Sequence, residues 1–298
     1  MARHQIGGDW QLGARMTVTM LLLAALYAAF ITVLAYSGTG FVTMAIIVGG
    51  LLLVQYFFSD KLVLLSMGAR KVSEQDEPEL HAMVERLAAL ADIPKPAVAI
   101  AETDVPNGFA TGRNPKSAAV CCTRGILRRL TNAELEGVLA HELTHIRNRD
   151  VAVITFASFF ASVASFIMNQ MFYWGLWGGY GRRRDDNGNA LMIVYLVSFL
   201  TWVLSFFLIR ALSRYREYAA DRGSAILTGA PSHLASALLK ISGVMERIPE
   251  RDMRQVQSLN AFFIMPAVGR QGLGELFATH PSLEKRLAYL RRLEEELR

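Results

Sequence analysis

TNAELEGVLAHELTHIRNRDVAVITFASFF, residues 131–160, carries a helix start, a pair of histidines and the beginning of a charge-free run in one continuous stretch. Thr131 with Glu134 three positions on has the form of a capping box, which predicts a helix beginning at Asn132. His141 and His145 are four residues apart, so they share one helix face and stand one turn from each other. Two imidazoles so placed can each offer a ring nitrogen to a single Zn2+ at about 2.0–2.1 Å. Glu142 follows the first histidine and points to the side of that face, where a carboxylate can take the proton of a metal-polarised water. A solvated helix can show the same letters by chance. The cap, with apolar Val138 and Leu139 ahead of the histidines, favours a buried helix with chemistry on it.

Working outward, Val151–Gly181 contains no Lys, Arg, Asp, Glu or His, and neither do Asn187–Ile209 and the 44 residues of Met16–Ser59. At about 1.5 Å per residue, one helix over the longest run would be about twice the ~30 Å bilayer core. Ser37-Gly38-Thr39-Gly40 therefore reads as a turn between two spans, about 16–36 and 41–58. A second hairpin follows at about 151–178 and 190–209, joined across Arg182-Arg183-Arg184-Asp185-Asp186. Composition agrees. The chain is 52% hydrophobic and 19% charged, with a mean hydropathy of +0.28, whereas soluble domains carry roughly a quarter charged residues. Disorder is excluded, and the composition argues against an ordinary cytosolic enzyme. The expected class is an α-helical membrane protein with four membrane segments: an N-terminal hairpin in 1–59, a second hairpin in 151–209, and a helix-rich α+β domain in two halves, 60–150 and 210–298. A cleavable signal peptide ending near Ala35-Tyr36-Ser37 is disfavoured by the length of the apolar run and by the span behind it.

The net charge of +5 and pI near 9.3 would suit nucleic acid if the basic residues shared a folded face. They flank the spans instead. Arg3 and Arg15 precede the first, and Lys61, Arg70 and Lys71 follow the second, the distribution of cytoplasmic flanks. The partner is then the lipid bilayer, with no nucleic acid, and the N-terminus, 60–150 and 210–298 are expected on the cytoplasmic side. Arg182–Arg184 falls on the far side, against the rule, unless the second hairpin does not fully cross. Both readings stay open.

Outside the spans, Pro78 opens a helix whose face is Leu80, Met83, Val84, Leu87 and Leu90, and Pro94 ends it. Ala97–Ala101 and Ser117–Thr123 are β-like runs on either side of a turn-rich loop, Val105-Pro106-Asn107-Gly108. The second run, just ahead of the histidine helix, is the expected edge for an extended peptide. Its Cys121 and Cys122 read as buried thiols rather than a redox or metal pair, and His81 and His233 as surface or satisfied residues. Leu283, Leu287, Leu290, Leu293 and Leu297 predict an amphipathic closing helix. Tyr173, Trp174, Trp177 and Tyr180 suit an interfacial aromatic belt.

A metal bound by two histidines needs a third protein ligand. Asn148 and Val151 stand where a metzincin continuation requires Gly and His. Glu217 and Asp221, again four apart, offer a carboxylate ligand and an acceptor for a ligating histidine's other ring proton. A solvated acidic pair beside Arg214, Arg216 and Arg222 is the alternative reading, and His280 is the rival ligand.

These elements together resemble the HtpX-type membrane zinc metalloproteases, relatives of the CAAX prenyl proteases. HELTH at 141–145, EYAAD at 217–221, NGFATG at 107–112 and HPSLEKR at 280–286 carry the resemblance, in the family's order and over essentially the whole chain. It implies a zincin-type (gluzincin) catalytic domain with one Zn2+ per chain. His141, His145 and Glu217 would be the ligands, Glu142 the catalytic base, Asn107 a binder of substrate backbone, and His280 and Arg286 residues of the cleft, with His280 stabilising the oxyanion. It also implies quality control of misfolded or damaged membrane proteins at the bacterial inner (plasma) membrane. Gly108 departs from the pattern, since relatives commonly have Ala there. Two other readings compete with this one. A non-enzymatic scaffold or transporter component finds little support in spans whose polar residues are Ser, Thr, Asn169 and Gln170. A prenyl-substrate protease would have only four spans from which to build an intramembrane chamber.

Overall fold

In chain order the protein runs α1 (Trp10–Tyr36), β1 (Ala69–Lys71), α2 (Pro78–Leu90), β2 (Ala97–Ala101), β3 (Gly108–Thr111), a 3-10 turn at Pro115–Ser117, β4 (Ala119–Thr123), α3 (Arg124–Arg129), α4 (Asn132–Arg147), α5 (Asp150–Trp177), α6 (Asn187–Thr228), α7 (Pro231–Met245) and α8 (Leu283–Leu297). The computed structural model describes residues 9–36, 63–177, 187–245, 264 and 278–298, with isolated positions at 46, 49, 50, 53, 54, 57 and 61. The expected span at 41–58 is therefore described only at scattered positions. The Arg182–Arg184 link and the side chains of the expected aromatic belt lie outside the described residues.

Among the described residues three helices are long and apolar enough to cross a membrane: Trp10–Tyr36, Asp150–Phe172 and Met192–Thr228. They pack on one another, with Phe30 and Leu34 of α1 against Val163 and Ile167 of α5 and Val194 of α6. The Tyr27 hydroxyl donates to the Ala157 carbonyl, satisfying a polar group that lipid could not. Leu21, Leu22, Ile31, Phe156 and Leu200 face outward, apolar surface of the kind lipid chains cover. α6 is 42 residues long, about 63 Å at about 1.5 Å per residue. Its apolar first half suffices for a ~30 Å core. The second half, from Arg210 on, projects beyond that length and carries Glu217 and Asp221.

The sheet has the order β1-β2-β4-β3, with β2 and β4 parallel and the outer pairs antiparallel. The predicted strand at Ala97–Ala101 is present as expected. The expected edge strand is not an edge, because β4 pairs on both sides and the free edge nearest α4 is β3. β3 is only GFAT, starting at Gly108 where the turn-rich loop read at Val105-Pro106-Asn107-Gly108 ends, and it is too short to show a period of two. Gly112 ends it at φ 125, a conformation open to glycine and closed to residues with a Cβ. Cys121 and Cys122 are free and buried in β4. Burial pushes the Cys121 thiol up to about 12 and Cys122 still higher, so both are inert at neutral pH. On α2 the predicted face is present at Leu80, Val84 and Leu87, but Leu90 is exposed. His81 is buried in the same helix, its Nε2 3.1 Å from the Val72 carbonyl.

α4 is the centre of this domain, with Leu135, Val138, Leu139, Leu143 and Ile146 all in the main core. Its start is the capping box expected from the sequence, Thr131 with Glu134. Glu134 also accepts from Ser236 at 2.6 Å and Lys240 at 2.8 Å on α7, so one buried carboxylate fixes both the helix start and its packing partner. At the other end the helix stops at Asn148, and Arg149 takes a left-handed φ of 55. This turn sends the chain straight from the histidine helix into α5. Small residues let the partner helices close in. Gly137 faces the Leu234 backbone of α7, Ser224 of α6 donates to the Gly137 carbonyl at 2.8 Å, and Gly223 of α6 lies against Thr144, between the two histidines.

Two outcomes are expected. A Cβ at Gly223 would land on the Thr144 side chain, so Gly223→Ala should destabilise by about 1–3 kcal/mol through overpacking and part α4 from α6. Thr144→Ala in the same chain should recover part of that loss, as read by thermal unfolding in detergent. Burial raises the Glu134 carboxyl, but its hydrogen bonds from Lys240, Ser236 and Thr131 outweigh this and hold it at about 2, below its usual 4.5. The stability it contributes is therefore complete above pH 4.5 and lost as pH falls toward 2. Metal-free Glu134→Gln should be less stable than wild type at pH 6, and the gap should shrink through that window.

Candidate metal centre

The close approach of α6 to α4 sets three side chains facing one point. His141 Nε2 and His145 Nε2 are 3.1 Å apart, His145 Nε2 lies 3.5 Å from Glu217 Oε1, and His141 Nε2 lies 3.7 Å from Glu217 Oε2. Ligand atoms held about 2.0–2.1 Å from a tetrahedral ion are about 3.3 Å apart, so this spacing fits one zinc-sized cation. The tautomers agree. Asp221 Oδ1 is 3.0 Å from His141 Nδ1 and Asp150 Oδ2 is 2.6 Å from His145 Nδ1. With both Nδ1 protons donated to carboxylates, the two Nε2 atoms face each other as lone pairs. Such an arrangement needs a cation between them, a proton or a metal ion. Burial alone would lower His141, yet Asp221 and Glu217 outweigh it and raise its pKa to about 9. Burial and the His141 charge lower His145, so the pair favours a single positive charge rather than two. Among the described residues these three form the group able to hold a metal ion.

Behind the cluster the charges are paired. Arg286 is fully buried on α8 and donates to Asp221 through Nε at 3.0 Å and Nη2 at 2.5 Å. Its Nη1 lies 3.5 Å from Glu217 Oε2 and donates to the Ile264 carbonyl at 2.9 Å. Each buried carboxylate thus meets a cation, without which its desolvation would be costly. His280 is buried with Nδ1 3.1 Å from Glu217 Oε2, off hydrogen-bond geometry.

Glu142 lies on the side of the cluster that faces β3. Its carboxyl is buried, which pushes its pKa up, and the nearby His141 and His145 oppose this only in part. The Ala110 backbone N–H of β3 also points at it. His145 is the partly exposed member, at the wall of a narrow cleft lined by Ala110, Thr111, Gly112, His145, Arg149 and Val151. The cleft therefore runs from the strand edge to the start of a membrane helix.

Of the residues singled out from the sequence, His141, Glu142, His145, Glu217, Asp221, His280 and Arg286 all meet here. Asn107 sits apart from the open cleft and is fully buried. Its N–H donates to Thr123 Oγ1 at 2.9 Å, and its side-chain oxygen accepts from the Ile264 N–H at 3.0 Å. Gly108 next to it has a local reason, since a Cβ there would meet Val138 Cγ1 of α4 at 3.1 Å. Sequence reading missed Asp150 and gave Arg216 no role. An acidic residue at the first position of the helix after the histidine helix is the signal that was there to be found.

Residues 74–294 match peptidase family M48. The chain is 61% identical to a Protease HtpX homolog of Moorella thermoacetica, over 99% of this chain and 98% of that one. It is 55% identical to Protease HtpX homolog 2 of Methanosarcina acetivorans, over 97% of each. In fold it is similar to the crystal structure of S. mikatae Ste24p, with a TM-score of 0.55 at 16% identity, covering 95% of this chain and 67% of that chain. Family match and near full-length relatives lead to the same conclusion: the chain belongs to peptidase family M48 and is a membrane-bound metalloprotease.

Proposed function

We propose that the protein is a zinc-dependent endopeptidase, with one Zn2+ per chain, that cuts membrane proteins where they leave the bilayer at the cytoplasmic face of the plasma membrane. The observation that carries this reading is the His141–His145–Glu217 spacing with Glu142 between it and a free strand edge, at the point where α5 and α6 reach the site. His141 Nε2, His145 Nε2 and Glu217 would hold the ion. When bound there, zinc supplies Lewis acidity toward a peptide carbonyl and lowers the pKa of water from 15.7 to about 7.

The protein's own groups do the rest. An extended substrate segment pairs along β3, which puts its carbonyls in line with the cluster. Glu142 takes a proton from the attacking water and returns it to the leaving amine. His280, beside the Glu217 carboxylate, stabilises the developing oxyanion. Asp221 orients His141, and Arg286 holds Asp221 and Glu217 in place. Asn107 serves the groove from beneath, anchoring the entry to β3 through Thr123 and Ile264.

Position supports the substrate class. At about 1.5 Å per residue, His145 and Glu217 are on the order of 10 Å from the ends of the apolar runs at Val151 and Ile209. A site there meets loops and emerging ends of membrane proteins and stands clear of peptide bonds inside the bilayer. The basic flanks at Arg15, Lys61 and Lys71 support the cytoplasmic face. Removal of misfolded or damaged membrane proteins is the role that fits such a position, and the relatives' name supports the protease activity it requires.

Glu142→Gln should keep zinc and lose about 10²–10⁴-fold in cleavage of an unfolded membrane-protein substrate. Near wild-type cleavage would contradict the mechanism. In parallel metal titrations, Glu217→Ala should lose zinc, while His280→Ala should keep it and turn over slowly. The reverse pattern would make His280 the third ligand.

A further inference from the structure

The two histidines are supported in the same way from opposite sides. His141 leans on Asp221, which leans on Arg286. His145 leans on Asp150 at 2.6 Å, and Asp150 Oδ1 forms a close ion pair with Arg216. Arg216 Nη2 also donates to the Asn148 carbonyl at 3.0 Å, tying off the C-terminal end of α4. Asp150 and Arg216 are both buried, 8% and 6% exposed, so they are not a solvated surface pair.

We infer that Asp150 and Arg216 are positioning residues that fix the orientation of His145 and couple the metal centre to the membrane helices. The inference rests on the metal-site reading above. Asp150 accepts the His145 Nδ1 proton and thereby aims Nε2 at the ion, the service such sites need from a carboxylate. Arg216 keeps that buried carboxylate compensated and holds it by two anchor points, Asp150 itself and the end of α4. The placement gives the pair a second consequence. Asp150 is the first residue of α5, where a carboxylate also suits the helix N-terminus. Arg216 lies on the stretch of α6 that leaves the apolar run. A change in the spacing of these two helices is therefore felt at His145, whereas the support of His141 comes from α6 and α8. Only Asn148 and the left-handed Arg149 separate the histidine helix from α5, leaving little slack to absorb such a change.

The test uses the full chain in detergent or nanodiscs, with Co2+ as a spectroscopic stand-in for zinc. Wild type, Asp150→Asn, Arg216→Ala, Arg216→Lys and the double variant Asp150→Asn/Arg216→Ala are compared by metal affinity, by the d–d absorption of bound Co2+ and by thermal unfolding of the metal-free protein. Asp150→Asn should bind metal about 10–100-fold more weakly, with altered Co2+ bands. Arg216→Lys keeps a charge for Asp150 and should recover much of what Arg216→Ala loses. Because the two act in series through His145, the double variant should be little worse than the weaker single. Wild-type affinity and Co2+ bands in Asp150→Asn would overturn the inference. So would additive losses, or an effect confined to metal-free stability. If Asp150→Asn does not fold, Arg216→Lys against Arg216→Ala carries the same test. Failure of wild type to bind Co2+ at all, with His145→Ala no different, would overturn the metal-site reading itself.

Discussion

The site depends on how closely α6 can lie against α4. Glu217 reaches the two histidines because Gly223, six residues further along, presents no side chain to Thr144. Ser224 then donates directly to the backbone of Gly137 across the same seam. A side chain at position 223 would force the helices apart and move the carboxylate away from the imidazoles. Close packing between rigid helices is thus what converts two motifs, far apart in sequence, into one cluster. The capping box and the Glu134 contacts to α7 do the corresponding work at the other end of α4, fixing where the helix begins.

That packing buries an unusual amount of charge, and the charges occur in compensated groups. Asp221 is matched by Arg286 and Asp150 by Arg216, while Glu217 lies among His141, His145, His280 and Arg286. Buried pairs of this kind add little net stability, but removing one partner leaves a charge without compensation and is costly. What they provide here is direction. Each carboxylate has a fixed orientation, and so does each imidazole.

Much of this was legible in the sequence, for physical reasons. The cap, the i, i+4 histidines and the i, i+4 acids are local patterns that a helix imposes on neighbouring residues, and long charge-free runs follow from the bilayer itself. What the sequence hid depends on tertiary pairing. β3 is four residues long, and no local rule says that it, rather than β4, forms the edge. Leu90 fits the apolar face of α2 yet is exposed. His81, read as surface or satisfied, is the satisfied kind, buried with its Nε2 3.1 Å from the Val72 carbonyl, a partner that only the tertiary fold supplies. Asp150 reads locally as a charge ending a soluble helix. Its contact with His145, 2.6 Å from Oδ2 to Nδ1, is made across the turn at Asn148 and the left-handed Arg149, which no local pattern announces.

The central claim, that His141, His145 and Glu217 share one zinc ion, is tested most directly by X-ray absorption at the zinc edge of the purified full chain. The account predicts one zinc per chain with only nitrogen and oxygen scatterers at about 2.0–2.1 Å, including outer-shell scattering from two imidazole rings. A sulfur shell at about 2.3 Å, or scattering from a single imidazole, would contradict it.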